Sequence, residues 1–474
     1  MAFTASSWGQ GQLLTGLSPG SSETGFEAAI TKANLPTSAL DTGSLSCLNG
    51  GGDWRFSTDI NGSTQLPVDI VTCVTNASAA STEFIAWVRF PTYASGTRSV
   101  YAFWNKAGES QPAASAAFGS EDVWQDNESA WHLNDLTDSA GNAASLSSVG
   151  SPTTVDGVVG NAKRFASSSD YLFTSTVGVV ENDSFNITFW YKRQAGDLLP
   201  DGTAIGIADN SSAFDNYGIE LSRDVATDTL IVSAFARDIN NNADEVIRFA
   251  GVSEGDSVFI SLNQSSTGTS GVGIHSGSVQ SGTSTRRLFG TTPNRFSFNR
   301  LLDSSPNSGG LMVLDEIRLT SPGNTKSSDR VELEYDNQSN PSAFWTAGAV
   351  FVPGGSSISV TATLGTISYS SNNTSVSVTG SFDVVATLGT ISYASNDAVI
   401  TTSGVVDVSA TIGTISYASN NPSVFVAGII PIEATLGTIS YTSNNVTVFV
   451  QDGQDIGVVT ASFKPNSITV NFRG

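Results

Sequence analysis

The stretch "ATLGTISYSSNN" at residues 362–373 is written again as "ATLGTISYASND", "ATIGTISYASNN" and "ATLGTISYTSNN". Gly365, Gly389, Gly413 and Gly437 fall 24 residues apart without a slip, and so do Tyr369, Tyr393, Tyr417 and Tyr441. A chain repeated at this period folds as copies of one supersecondary unit, stacked or in series. Each copy reads as strands. In "VVDVSATIG", Val406, Val408, Ala410 and Ile412 alternate with small or polar neighbours, the period of a half-buried strand. Ile415 and Tyr417 then share a face, "SNN" supplies a turn, and "SVFVAG" gives a third short strand. Three short strands per unit fit one coil of a β-solenoid, one face of a trimeric β-prism, or a series of small β-units. The degenerate last copy, "VTASFKPNSITVNF", puts Phe463 at the Tyr position and adds Lys464 and Pro465. Such changes suit a cap on an exposed sheet edge. The Tyr ladder reads as core rather than as a sugar-stacking stripe.

Composition narrows the classes further. Charged residues make up 14% and the net charge is −22, which excludes a nucleic-acid partner and attraction to anionic membranes. No Lys, Arg or His occurs from Val331 to Phe463, so packing and backbone hydrogen bonds must hold that segment. No apolar run reaches the roughly 20 residues of a membrane span, so membrane insertion is not expected. "MAFTASSWGQGQLL" has neither a basic n-region nor a long apolar h-region. An adhesive composition without an export signal leads to the expectation of a virion part, assembled in a host cytoplasm and released by lysis. Cys47 and Cys73 are too few for a disulfide scaffold; pairing after release into oxidising surroundings is open to them, while cytosolic assembly favours two reduced thiols.

Upstream of a Gly-rich divide, "VPGGSSIS" (352–359), short alternating runs dominate: "EFIAWVRF", "SVYAFWN", "FNITFWYKR" and "TLIVSAFAR". Turn-rich segments separate them, the pattern of sandwiches and jelly rolls. "GFEAAITKANLPTSAL", "NGGGDWRFSTDINGSTQLPVDIV" and "AWVRFPTYASGTRSVYAFWNK" resemble a small β-domain of unassigned function found in phage virion proteins and some bacterial surface proteins. That domain often precedes a laminin-G-like, concanavalin A-type jelly roll. "DVWQDNESAWHLND" resembles the junction, "GVVGNAKRFASSSDYL" and "FNITFWYKR" the first jelly-roll strands, and "GLMVLDEIRLTS" with "SSDRVELEYDNQSNPSAFW" the closing strand and terminal helix. "YAFWNK" stands where the family has a Tyr-Tyr-Gly-Asn-like run. The resemblance covers roughly residues 15–346. It implies an all-β chain in three parts: an N-terminal β-sandwich at 1–125, a jelly roll at 126–350 and the repeats at 351–474.

Candidate chemistry is sparse. His132, in "AWHLND", and His275 lie far apart, and His132 reads as structural. Asp315 and Glu316 are adjacent, so a regular strand would send them to opposite faces, too far apart in direction to flank one glycosidic bond. Glu332 and Glu334 fall on the helix that the resemblance implies, where positions i and i+2 diverge. No enzyme activity is expected. "DINNNADE" spaces oxygen ligands at Asp238, Asn240, Asn242 and Asp244, a pattern calcium accepts; the plainer reading is a polar hairpin loop, and weak calcium dependence is expected.

Together these readings lead to the expectation of a structural protein of a tailed bacteriophage: a tail fibre, spike or tail-tip appendage. Its partners would be other virion proteins and, through the jelly roll, a host-surface glycan. A capsid decoration or head-fibre protein is the first alternative and a bacterial adhesin the second. The repeats, without a basic residue up to Phe463, point to a homo-oligomer, most simply a trimer.

Overall fold

The computed structural model describes residues 3–174, 184–194, 202–208, 216–224, 226, 229–237, 243–250, 252–264, 270–275, 279–284, 295–299 and 311–353, and the repeat strands named below. The first sandwich has two antiparallel sheets. One runs in the order Trp345–Phe351, Gln10–Gly16, Ser99–Trp104, Arg55–Ser57 and Gln65–Leu66; the other runs Glu23–Thr31, Glu83–Tyr93 and Val68–Val74.

Alternation along these strands builds two interiors. Phe84, Ala86, Val88 and Phe90 enter the core between the sheets, with Phe26, Ala28, Trp54, Phe56 and Trp104. The intervening Ile85 and Trp87 enter a second cluster with Ala29, Val123, Trp124, Ala130 and Val159. A strand buried on both faces reads as a near-continuous apolar run, which accounts for "EFIAWVRF".

That second cluster is the join to the jelly roll. The chain enters through Asn127–Trp131, which pairs with Met312–Thr320 at the centre of an eight-stranded sheet. A seven-stranded sheet faces it, and Phe165, Leu172, Ile187, Phe189, Leu221, Val232, Phe296 and Leu314 fill the space between. In "FNITFWYKR", Ile187, Phe189 and Tyr191 point into this core, while Trp190 turns outward to Phe259 and Val331.

The boundary expected at residue 350 is corrected by the strand pairing. After the jelly roll, the helix Ser328–Ser339 packs on Glu23–Thr31, and Trp345–Phe351 pairs antiparallel with Gln10–Gly16. Leu333, Phe344 and Trp345 belong to the first sandwich's core. The jelly roll is therefore inserted into the first sandwich, whose outer strand comes from the far side of the insertion.

All described strand pairs before residue 352 are antiparallel; those of the repeats are parallel and in register. Gly365, Gly389, Gly413 and Gly437 align, as do Tyr369, Tyr393, Tyr417, Tyr441 and Phe463. Three sheets result, each taking one strand per repeat. The first has Val360–Ala362, Phe382–Ala386, Val406–Ala410 and Ile432–Ala434. The second has Gly365–Ser371, Gly389–Ser395, Gly413–Ser419, Gly437–Ser443 and Ala461–Lys464. The third has Thr374–Thr379, Ala398–Ser403, Ser423–Ala427, Val446–Gln451 and Ile468–Phe472. Of the three arrangements open to the sequence, this is the β-solenoid: each strand bonds its own counterpart one repeat away.

Candidate functional site

Where the two sandwiches meet, Met312–Thr320 carries a β-bulge. Thr188 pairs with Arg318 and Trp190 with Asp315, so Glu316 and Ile317 together oppose Phe189 alone. Glu316 takes the positive φ, 48°, an αL position that a bulge demands and that usually holds Gly. The extra residue shifts the parity of the strand: Met312 and Leu314 face the jelly-roll core before it, Ile317 and Leu319 after it. Asp315 and Glu316 are consequently both turned toward the seam, contrary to the opposite facing expected of a regular strand.

Glu316 is fully buried. It accepts from Nδ1 of His132 at 2.9 Å and from Nη2 of Arg318 at 3.0 Å. Nε2 of His132 lies 3.4 Å from Oδ2 of Asp69, which also accepts from the indole N–H of Trp124 at 2.8 Å. The imidazole stacks on Trp87 with an interplanar angle of 14°, and the Arg318 guanidinium lies 4.0 Å from the Trp87 ring centroid. Burial opposes the imidazolium, but the Glu316 and Asp69 carboxylates outweigh it and push His132 up to about 10. Asp69 is held low: burial opposes its charge, and His132 more than compensates. Asp315 accepts from the backbone N–H groups of Val158 and Val159 at 2.7 and 3.1 Å; burial, then the Glu316 charge, raises it well above the usual range. A histidine protonated through neutral pH has no lone pair with which to take a proton. This grouping joins two modules.

The helix Ser328–Ser339 closes the other end of the seam. Ser327 caps it by accepting from the Arg330 N–H at 2.9 Å. Arg330 pairs with Glu27 and, at 2.7 Å, with Glu334, which Lys326 also reaches at 2.9 Å. Burial would raise Glu334, but Lys326 and Arg330 bring it down to about 2. Glu332 is exposed, so the two glutamates of "RVELEY" diverge as the helix geometry requires. Gln338 accepts from the indole N–H of Trp190 at 2.7 Å, which ties the helix to the jelly roll.

A different surface suits a ligand. On Tyr171–Thr174, Leu172 faces the core while Tyr171 and Phe173 are half-buried on the opposite face. Their ring centroids are 5.9 Å apart. The neighbouring strand, Ser147–Val149, is exposed along its whole length and edges the seven-stranded sheet. An aromatic pair beside exposed hydroxyls is a surface on which a sugar ring can stack and hydrogen-bond. "DYLF" carries the period-2 signal, but only the pairing shows which face is outside.

Of the calcium candidates, Asp238, Asn240 and Asn242 lie outside the described residues. Asp244 is in the strand Ala243–Ala250, paired with Ala234. Among the described residues, no cluster of three or more His, Cys, Asp or Glu side chains is placed to hold a metal ion, and no helix is long and apolar enough to cross a membrane. Cys47 and Cys73 come together, Sγ to Sγ, at 3.4 Å.

No family model and no curated protein matches the chain. Similar solved structures include domain 4 of AbnA, an extracellular GH43 arabinanase from Geobacillus stearothermophilus, in complex with arabinotriose. It is 18% identical over 44% of this chain and 98% of that one, with a TM-score of 0.34. The receptor binding domain of botulinum neurotoxin C/D mosaic serotype is 15% identical over 45% of this chain and 52% of its own, at a TM-score of 0.33. The binding domain of serotype G is 16% identical over 44% and 50%, at 0.32. The chain spans about half the length of these toxin domains.

Proposed function

We propose that this chain is a structural attachment protein of a tailed-phage virion, a fibre, spike or tail-tip appendage, that contacts a host-surface glycan through its jelly roll. The observation that carries the reading is the in-register parallel stack of near-identical 24-residue units. Such a stack adds a fixed increment of rod per copy. It follows two sandwiches joined across the seam by the buried His132–Asp69 pair, an arrangement suited to transmitting load rather than to turnover. Tyr171 and Phe173 are the glycan contact in this reading, and the rod trimerises.

Antibody against the full chain, applied to particles of the phage that encodes it and viewed by electron microscopy, tests the placement. Label confined to the tail supports the proposal, label over the capsid favours a decoration or head-fibre role, and particles without label refute both. For the contact, the Tyr171→Ala/Phe173→Ala double variant should bind host cells about tenfold more weakly, the loss expected from two aromatic contacts of about 0.5–1.5 kcal/mol each. Unchanged binding would remove these residues from the contact.

A further inference from the structure

We infer that Cys47 and Cys73 are an oxidation site: an external disulfide converts them to an intramolecular cross-link that pins the outer strand of the three-stranded sheet. The two sulfurs are already 3.4 Å apart, so closure to a bond of about 2.05 Å requires a relative movement of only about 1.4 Å. Both backbones are held in place. Cys47 donates its N–H to the carbonyl of Ala39 at 2.8 Å. The next residue, Leu48, donates to both carboxylate oxygens of the buried Asp53, at 3.0 and 2.9 Å. Asn105 ties the preceding carbonyl, that of Ser46, at 2.7 Å. Cys73 sits opposite Phe84 on Val68–Val74, which pairs only with Glu83–Tyr93 and forms the sheet's edge. Gly51 makes room for it: at φ +90°, a Cβ there would stand 2.7 Å from the Cys73 Cβ and 3.0 Å from its sulfur.

The environment supports the chemistry. The hydrogen bond from Cys73 holds the Cys47 thiol below its ordinary value, with the Trp54 indole acting in the same direction. The same shared proton, with burial, raises Cys73. Cys47 is buried and Cys73 half-buried, so the more exposed sulfur meets the reagent. With a small disulfide RSSR, the shared proton passes to the Cys47 thiolate as the Cys73 sulfur attacks; the mixed disulfide forms, and the RS⁻ released takes that proton from Cys47 and leaves as RSH. The Cys47 thiolate then attacks the Cys73 sulfur and releases the second RS⁻. The two protons lost by the protein leave as two RSH, and RSSR is the species reduced. Both thiols are free in this structure, as expected of the reduced chain; the cross-link forms only where an oxidant is supplied, and it does not depend on the function proposed above.

The test uses the full chain, purified under reductant and transferred to oxidised glutathione. Intact mass should fall by the two hydrogens of the thiols, with no glutathione adduct left. Non-reducing peptide mapping should join the peptides containing Cys47 and Cys73. The melting temperature should exceed that of the reduced chain by about 5 °C, in keeping with closure of a loop of this size, and the Cys73→Ser variant should lose that difference. Two titratable thiols after prolonged exposure, a persistent mixed disulfide, or a disulfide-linked dimer would each overturn the inference. The first two readouts need only the wild-type chain, so they stand even if the variant fails to fold.

Discussion

The seam fixes how single residues respond to pH. His132 is pushed up from 6.5 to about 10, so its contribution to stability is fully present below pH 6.5 and is lost as pH rises toward 10. Asp315, also raised, loses stability in the same direction from about pH 3.8 upward, because the unfolded carboxyl ionises there while the buried one stays protonated. Glu334, brought down from 4.5 to about 2, does the reverse: its contribution is present above pH 4.5 and lost as pH falls toward 2. Asp69 adds to that acid limb. Thermal melts across pH should therefore show an acid limb as pH falls below about 4.5 and a His132 limb as it rises above about 6.5. His132→Gln should cost about 3–5 kcal/mol, since Glu316 is left buried without its imidazolium, and should flatten the alkaline limb. An alkaline limb identical to wild type would place the titrating group elsewhere. At this scale the sequence was least informative. His132 was legible as structural, but its partner Glu316 is 184 positions away, and nothing in "LMVLDEIRLTS" announces a bulge, because the αL position holds Glu instead of Gly.

At the scale of elements, the helix Ser328–Ser339 does more than end the jelly roll. Glu23–Thr31 is an edge strand, and at Ala29 its unpaired side is covered by the helix. Asn337 accepts from the Ala29 N–H at 2.6 Å and donates to its carbonyl at 3.1 Å. The Trp345 indole N–H reaches the same carbonyl at 2.8 Å. Asn337→Ala leaves the carbonyl with one partner and the N–H with none, so a loss of about 2 kcal/mol in urea unfolding is expected. A neutral result would mean that the buried N–H finds another acceptor. The helix itself was readable from the family resemblance, and strands such as Glu83–Tyr93 from their alternation. What alternation does not carry is the partner: Trp345–Phe351 has the same pattern whether it closes the jelly roll or, as found, completes the first sandwich.

For the whole molecule, this topology decides where the chain can be cut. A chain ending at 353 keeps Trp345–Phe351 against Gln10–Gly16, and with it Phe344 and Trp345 in the first core. A chain ending at 326 contains nearly all of the jelly roll yet strips the helix and that strand from the other module, exposing Leu14, Phe26 and the Ala29 edge. The first is expected to melt cooperatively within a few degrees of the full-length head, the second to aggregate. The repeats were the most legible part of the chain in period and register, since identical residues align when identical units stack. Assembly is a separate matter: parallel pairing within one chain satisfies the strand ladders but does not decide which sheet faces meet other copies. With no cation from Val331 to Phe463, positive charge cannot blunt exposed strand edges there, and contact between copies follows from the threefold assembly proposed above. Sedimentation equilibrium should then give a trimer for the full chain and a monomer for the chain ending at 353. A full-length monomer at micromolar concentration would refute self-assembly, while a trimer from both would move the contact from the rod to the sandwiches.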